Sequence, residues 1–349
     1  MRLRINGEFV VGVVAVILGL LAGALLMVAT GNDAMEGYEF LFKGGLMNLE
    51  RIGNTLATAT PLILTGLSVA FAFRTGLFNI GTPGQVLIGG VLATVVGLLV
   101  DVPKPLLLML TTMAAIAGGA LWGVIPGLLK ARFNVHEVVS GIMMNWIAYW
   151  ITYYLMPAYF KGAYETETRY IPEAASLKVS WLTSLFAGSY INIGLFLAVV
   201  AVILVAVVLE RTVLGYQLKA VGFNRHAAEY AGISVNRNIV LSMMIAGALS
   251  GLGGAAIYTG YASSMQIGVM PSQGFDGIAV ALLGANSPLG VVGAALFFGV
   301  LQSGKGFMNA MTDIPPEIGD TIIASIIYFA ATSVLIRNLI ERARRRFAK

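Results

Sequence analysis

The side chains able to do chemistry in this sequence are few and stand apart. The two histidines, His136 and His226, lie in different contexts and make a poor metal site. The absence of cysteine removes disulfides, thiolate ligands and cysteine nucleophiles. Around Lys305, the run Leu301–Asn309 lacks both the first glycine and the Ser/Thr of the phosphate-binding pattern G-x-x-x-x-G-K-[ST]. Asp101, Glu137, Glu210, Asp276 and Asp320 occur singly at the ends of apolar runs and in loops, so no paired carboxylates form. No catalytic set, metal site or cofactor motif is present, and the chain is not expected to be an enzyme. What remains is polar recognition. Gln85, Asn145, Gln266 and Gln273 sit in or beside apolar runs. They either touch a hydroxylated solute in transit or tie neighbouring helices together. Trp146, Tyr149, Trp150, Tyr153 and Tyr154 recur at helical spacing; they can stack a nucleobase, although an aromatic belt at a membrane interface explains them more cheaply.

The apolar runs that carry these groups exclude a water-facing fold. Of 349 residues, 58% are hydrophobic and 11% charged, against roughly 25% charged in soluble proteins. About 20 apolar residues cross a hydrocarbon core of roughly 30 Å. Phe9–Thr30 meets that length as an uncleaved first span. Further spans are expected near Gly53–Phe73, Gly76–Val100, Pro105–Leu129, Val135–Met156, Tyr190–Leu209, Asn238–Tyr261 and Thr321–Arg337. The stretch from about Pro271 to Ser303 is broken by Asn286-Ser287-Pro288 and is either two spans or a re-entrant pair. The expectation is an all-α polytopic protein of about ten helices, or eight plus a re-entrant pair. Both termini then fall on one side. Placing them in the cytoplasm puts 15 of the 22 basic residues inside, among them Arg74, Lys130, Arg132, Arg225, Arg237 and the tail from Arg337 to Lys349. Such a juxtamembrane cluster has a membrane explanation, so no nucleic-acid partner is inferred.

The whole chain reads as one transmembrane domain, with a first half over 53–156, an inner loop over 210–237 and a second half over 238–338. The halves echo each other weakly: Asn79–Gln85 and Met270–Gly274 each give a Gly/Pro-interrupted start to a span. Transporters often place their pathway at such breaks; ordinary helix-start chemistry is the equal alternative. In the inner loop Asn224 is a good N-cap, Arg225–Ala231 favour helix, and Gly232 can end it in the left-handed conformation. The small face of Ala227, Ala228 and Ala231 is shaped to enter another protein's groove. A membrane-surface helix would need bulky apolar anchors, which the segment itself lacks. Beyond it, Gly247, Gly251 and Ala255 recur every fourth position, a stripe that lets a second helix approach closely.

Gly215–Ala255 resembles the signature region of ABC-importer permeases of the ribose and branched-chain amino acid type. Phe73–Gly90 and Gly274–Gly290 resemble that family's first-half and second-half segments. Asn134–Ala148, with Glu137, Val138 and Asn145, is similar to the branch whose members import nucleosides or simple sugars; that branch usually has Asn where His136 stands. The resemblance implies a multi-pass cell-membrane permease that pairs with an identical or homologous second permease. It also implies separate ABC ATPase subunits inside and an extracytoplasmic binding protein that delivers a small-molecule substrate. It assigns Asn224, Arg225, Ala227, Ala228, Glu229, Ala231 and Gly232 to ATPase coupling. Nucleosides are the expected cargo, with ribose-like monosaccharides as alternative. An ion-driven secondary transporter would need a buried charged relay in mid-span, whereas the acids here cluster at span ends.

Overall fold

The computed structural model describes residues 7–332. Arg2, Arg4, the basic tail from Arg337 and the end of the last expected span lie outside the described residues. In chain order the helices are α1 (Gly7–Ala29), α2 (Ala34–Leu46), α3 (Leu49–Arg74), α4 (Thr82–Leu99), α5 (Lys104–Phe133), α6 (Glu137–Phe160) and α7 (Ser180–Leu185). They continue with α8 (Gly194–Arg211), α9 (Val213–Phe223), α10 (Arg225–Tyr230) and α11 (Val235–Ala255), which runs on as a π-turn over Ala256–Tyr261. α12 (Gln273–Leu283), α13 (Pro288–Thr312) and α14 (Pro316–Ala331) close the bundle. Among the described residues no strand forms, and only two isolated bridges occur, Lys161 with Thr168 and Glu167 with Gln266.

Among the described residues, seven helices are long and apolar enough to cross a membrane: those of α1, α3, α4, α5, α8, α11 with its π-turn, and α13. α3 is the axis, its middle almost wholly buried beneath α8, α11, α12 and α13. Elements from the two expected halves interleave around it, since α11 lies against α4 and α5 while α12 lies against α3. The small-residue stripe performs the close approach expected of it. A β-carbon added at Gly247 would meet Gly119, and one at Gly251 would meet the Ala115 carbonyl, so α5 and α11 cross backbone to backbone.

Three elements differ from the sequence reading. α2 was hidden in what reads as an outer loop. Asp33 caps it by accepting from the amides of Met35 and Glu36, and its Gly44 and Gly45 pack on α13. α4 starts at Thr82 rather than Gly76, because residues 75–81 stay irregular. The broken stretch, read as either two spans or a re-entrant pair, divides unequally. α12 has 11 residues, about 16 Å of rise and half a hydrocarbon core, and a full-length α13 of 25 residues follows it.

Candidate functional site: an exposed helix, a broken-helix junction and a charged face

Asn224 caps α10, its Oδ1 accepting from the His226 and Ala227 amides, each at 3.0 Å. The helix ends in a Schellman motif. The Gly232 amide donates to Glu229 O at 2.9 Å, the Ile233 amide donates to Ala228 O at 3.0 Å, and Gly232 has φ +81°. The caps are as expected, but the exposed face is not. Ala228 is 4% exposed and packs with Leu77, Val221, Val235, Ile239 and Met243 of its own chain. Ala228 therefore seats α10 on the bundle and is not available to a partner, which corrects its place on the outward face. Ala227 and Ala231 do face out, with Asn224, Arg225, His226 and Glu229. Phe223 and Tyr230, each 95% exposed, flank them; they are the bulky apolar anchors that the sequence reading found missing from this segment. The sequence carried the signal: in a Schellman ending the residue three before the cap packs against the one two after it, here Ala228 against Ile233. Ala228 had to turn inward.

The two Gly/Pro-interrupted starts, distant in sequence, meet in space. A β-carbon on Gly274, at the start of α12, would fall inside Pro83 at the start of α4. Below this contact Asn79 and Gln85 pair their amides: Asn79 Nδ2 donates to Gln85 Oε1 at 2.9 Å and Gln85 Nε2 donates to Asn79 Oδ1 at 3.1 Å. Asn79 Nδ2 also reaches Ser68 Oγ at 3.1 Å, to which the Ser250 hydroxyl donates at 2.8 Å. Asn145 clamps the irregular segment from α6. Its Oδ1 accepts from the Gly84 amide and its Nδ2 donates to Ile80 O, both at 2.9 Å. Gln85 and Asn145 are thus buried and spent inside the bundle, both on the irregular segment before α4 and Asn145 also on the Gly84 amide, rather than offered to a solute. Gln266 lies exposed in the 262–272 loop, and Gln273 is half-buried at the start of α12. His136 caps α6, with Nδ1 accepting from the Val138 amide at 3.3 Å. Glu137 pairs with Lys130 at 2.9 Å.

A third feature went unread in the sequence. Asp276 lies one helical turn from Gln273, and its Oδ2 accepts from Gln302 Nε2 at 3.4 Å. Lys305 Nζ on α13 bonds Asp320 Oδ1 on α14 at 2.6 Å, and Glu317 and Thr321 are exposed beside Asp320. Hydrocarbon does not tolerate such a face, so it demands water or another polar surface. The aromatic stripe divides: the Tyr149 hydroxyl donates to Gly268 O at 3.3 Å and Tyr153 lies against Gly268. Trp146, Trp150 and Tyr154 line an open apolar groove with Met143, Ile147 and Tyr159 on the outside of the subunit, as a belt would.

At the end of the bundle away from α10, residues 161–193 fold over the 259–268 segment. The Thr168 amide donates to Met265 O at 3.0 Å, the Ile267 amide to Thr166 O at 2.8 Å and the Leu177 amide to Thr259 O at 2.8 Å. Glu165 there is drawn below the usual carboxylate range by its hydrogen bond to Lys161 at 2.8 Å.

Long apolar helices packed around irregular backbone define a multi-pass membrane protein. Comparison with known proteins narrows this class. Residues 51–331 match the family model described as branched-chain amino acid transport system, permease component, and the chain belongs to that family. It is 43% identical over 342 residues, 98% of each chain, to the guanosine ABC transporter permease protein NupP of Bacillus subtilis. It is 41% identical to the nucleoside ABC transporter permease protein NupB of Lactococcus lactis, covering 97% of this chain and 94% of the relative. A second permease of B. subtilis, the guanosine ABC transporter permease protein NupQ, is 30% identical over 71% of this chain and 79% of its own length. No solved structure matches. The protein is accordingly a multi-pass permease of the cell membrane.

Proposed function

We propose that this chain is the membrane-spanning subunit of an ATP-driven importer of nucleosides. It is one permease domain of about ten spans with both termini in the cytoplasm. The observation that carries the reading is the near full-length likeness to NupP and NupB. The B. subtilis pair NupP and NupQ supports assembly with a second, homologous permease. ATP hydrolysis falls to separate ATPase subunits, because no nucleotide-binding motif occurs in this sequence. Their docking element is α10. Phe223 and Tyr230 supply two exposed rings, and Arg225, His226, Ala227, Glu229 and Ala231 supply the adjoining surface. Asn224 and Gly232 hold the two ends of the helix, and Ala228 holds its seat.

The folded cap over 161–193, with Gln266 in the segment it pairs with, is the docking surface for a binding protein on the outer side. The solute route runs along the face carrying Gln273, Asp276, Gln302, Lys305 and Asp320, covered by the second permease. Nucleosides are neutral and rich in hydroxyl and amide groups, so carboxylate and amide side chains suit their transfer. Gln85 and Asn145 shape this route from behind without touching solute.

The test is reconstitution with the ATPase, second permease and binding protein in vesicles. Labelled guanosine should enter only with ATP on the α10 side, with unlabelled nucleosides competing and free ribose competing weakly. Ribose competing as well as guanosine does would move the reading to a sugar importer. Uptake without any ATPase would end it.

A further inference from the structure

At the α10 end of the bundle, α1, the tip of α3, the α12–α13 turn and α13 enclose a cavity of about 880 Å³. Arg74, the last residue of α3, lies at its floor. One of the guanidinium donors, Nη2, bonds Asn286 O at 2.9 Å, which ties the end of α3 to the turn. Among residues 10–332, whose side chains are described, Arg74 Nε and Asn286 Oδ1 are both buried and meet no partner. Among those same residues no carboxylate pairs with Arg74. Above this floor the walls are apolar: Val13 and Ile17 from α1, and Leu289, Ala294 and Phe297 from α13. Leu289 is 80% exposed and Ile17 50%, so the slot opens sideways where bilayer surrounds the bundle. Gly293 leaves its upper part clear, since a β-carbon there would meet nothing within 4 Å.

An occupant of this cavity has three requirements. It must bring negative charge and an acceptor to Arg74, a donor to Asn286 Oδ1, and a long apolar body to the walls. Free phosphate meets only the first, and a neutral lipid only the last. We infer that the cavity binds an anionic phospholipid, with the phosphate on Arg74, headgroup hydroxyls on Asn286 and an acyl chain between α1 and α13. Phosphatidylglycerol combines all three features, and basic pockets between helices on the cytoplasmic side suit such headgroups. The inference uses the cytoplasmic placement of the α10 end but not transport, so its test reads lipid and not uptake.

The full-length chain is purified in mild detergent and exchanged into nanodiscs of phosphatidylglycerol or phosphatidylcholine. Lipid retention is read by native mass spectrometry and stability by thermal unfolding. Phosphatidylglycerol should be retained about fivefold better, as one basic group at an anionic surface allows. Both Arg74→Gln and Gly293→Leu should abolish the preference. Gly293→Leu fills the slot with the Arg74–Asn286 bond intact, so its unfolding temperature in phosphatidylcholine should match the wild type. Equal retention of both lipids, or a preference that survives Gly293→Leu, would overturn the site. So would inorganic phosphate alone reproducing the thermal shift, which would make it a free-anion site.

Discussion

Replacing Tyr230 by Ala separates the surface of α10 from its seat. Tyr230 is 95% exposed, so the isolated chain loses little; surface changes of this kind stay within about 0.5 kcal/mol. A docked ATPase changes this balance. A tyrosine brings about 150–250 Å² to an interface, and truncation to Ala removes roughly 100 Å² of that contact. At about 25 cal/mol per Å², the loss is about 2.5 kcal/mol, or roughly 70-fold in affinity. Phe223→Ala should cost a similar amount for the same reason. Ala228→Trp makes the contrast. Its methyl group lies among Leu77, Val221, Val235, Ile239 and Met243, and overpacking such a site costs about 1–3 kcal/mol of the chain's own stability. The assay measures two quantities on each variant in nanodiscs: affinity for the purified ATPase subunit, and unfolding temperature. Tyr230→Ala should lose affinity at unchanged stability, and Ala228→Trp should lose stability first. ATPase affinity within twofold of wild type for both Tyr230→Ala and Phe223→Ala would refute the assignment of α10.

Four further outcomes are expected. Asn145→Ala removes two buried hydrogen bonds to the irregular start of α4 and leaves the Gly84 amide and Ile80 carbonyl unpaired, at about 1–3 kcal/mol each; thermal unfolding of the purified chain should fall well below wild type. Gly251→Leu puts a side chain into the α5 backbone at a crossing where the two backbones touch, and the protein should fail to accumulate in membranes, as immunoblotting would read. Gly232→Val forces a β-branched residue to φ +81° and should cost about 1–2 kcal/mol of local helix-end stability, seen as faster amide exchange at Ile233. Because native cysteine is absent, His226→Cys and Glu167→Cys give clean topology probes; an impermeant thiol reagent on intact cells should label 167 and spare 226, and the reverse would invert the orientation.

The long helices were legible because hydropathy over about 20 residues is a strong signal with one physical cause, the thickness of the hydrocarbon. The caps of α10 were legible for a local reason, since Asn224 and Gly232 act within three residues of themselves. What failed needed distant partners. α2 carries glycines whose purpose appears only when α13 lies against Gly44 and Gly45. Gln85 and Asn145 look like solute contacts in a line of text, because their partners Asn79, Ile80 and Gly84 count only once the backbone between them is seen to be unwound. The charged face divides among three helices, and each of Asp276, Lys305 and Asp320 reads alone as a span-end charge. Periodicity cannot assemble groups separated by dozens of residues.

The unwound segment 75–81 connects these parts. Unsatisfied backbone is costly at membrane depth, so such a segment survives only where protein encloses it. Here the enclosure is made of the elements to which the proposed function assigns ATPase docking and the solute route. Leu77 packs under Ala228 at the seat of α10, and a β-carbon on Gly76 would lie 3.3 Å from Gly222 of α9. Asn79 and Ile80 hold Gln85 and Asn145. Pro83, just beyond, bears on Gly274 at the head of α12, two residues before Asp276. Contacts lead from the seat of α10 to the head of α12, and the irregular stretch 75–81 lies among them. A helix resists bending along its hydrogen-bonded length, whereas an irregular stretch held by side chains can exchange those bonds as a set. On the proposed coupling role of α10, residues 75–81 are the element suited to take up its displacement, and the Asn79–Gln85 pair is the bond set that such a movement would strain.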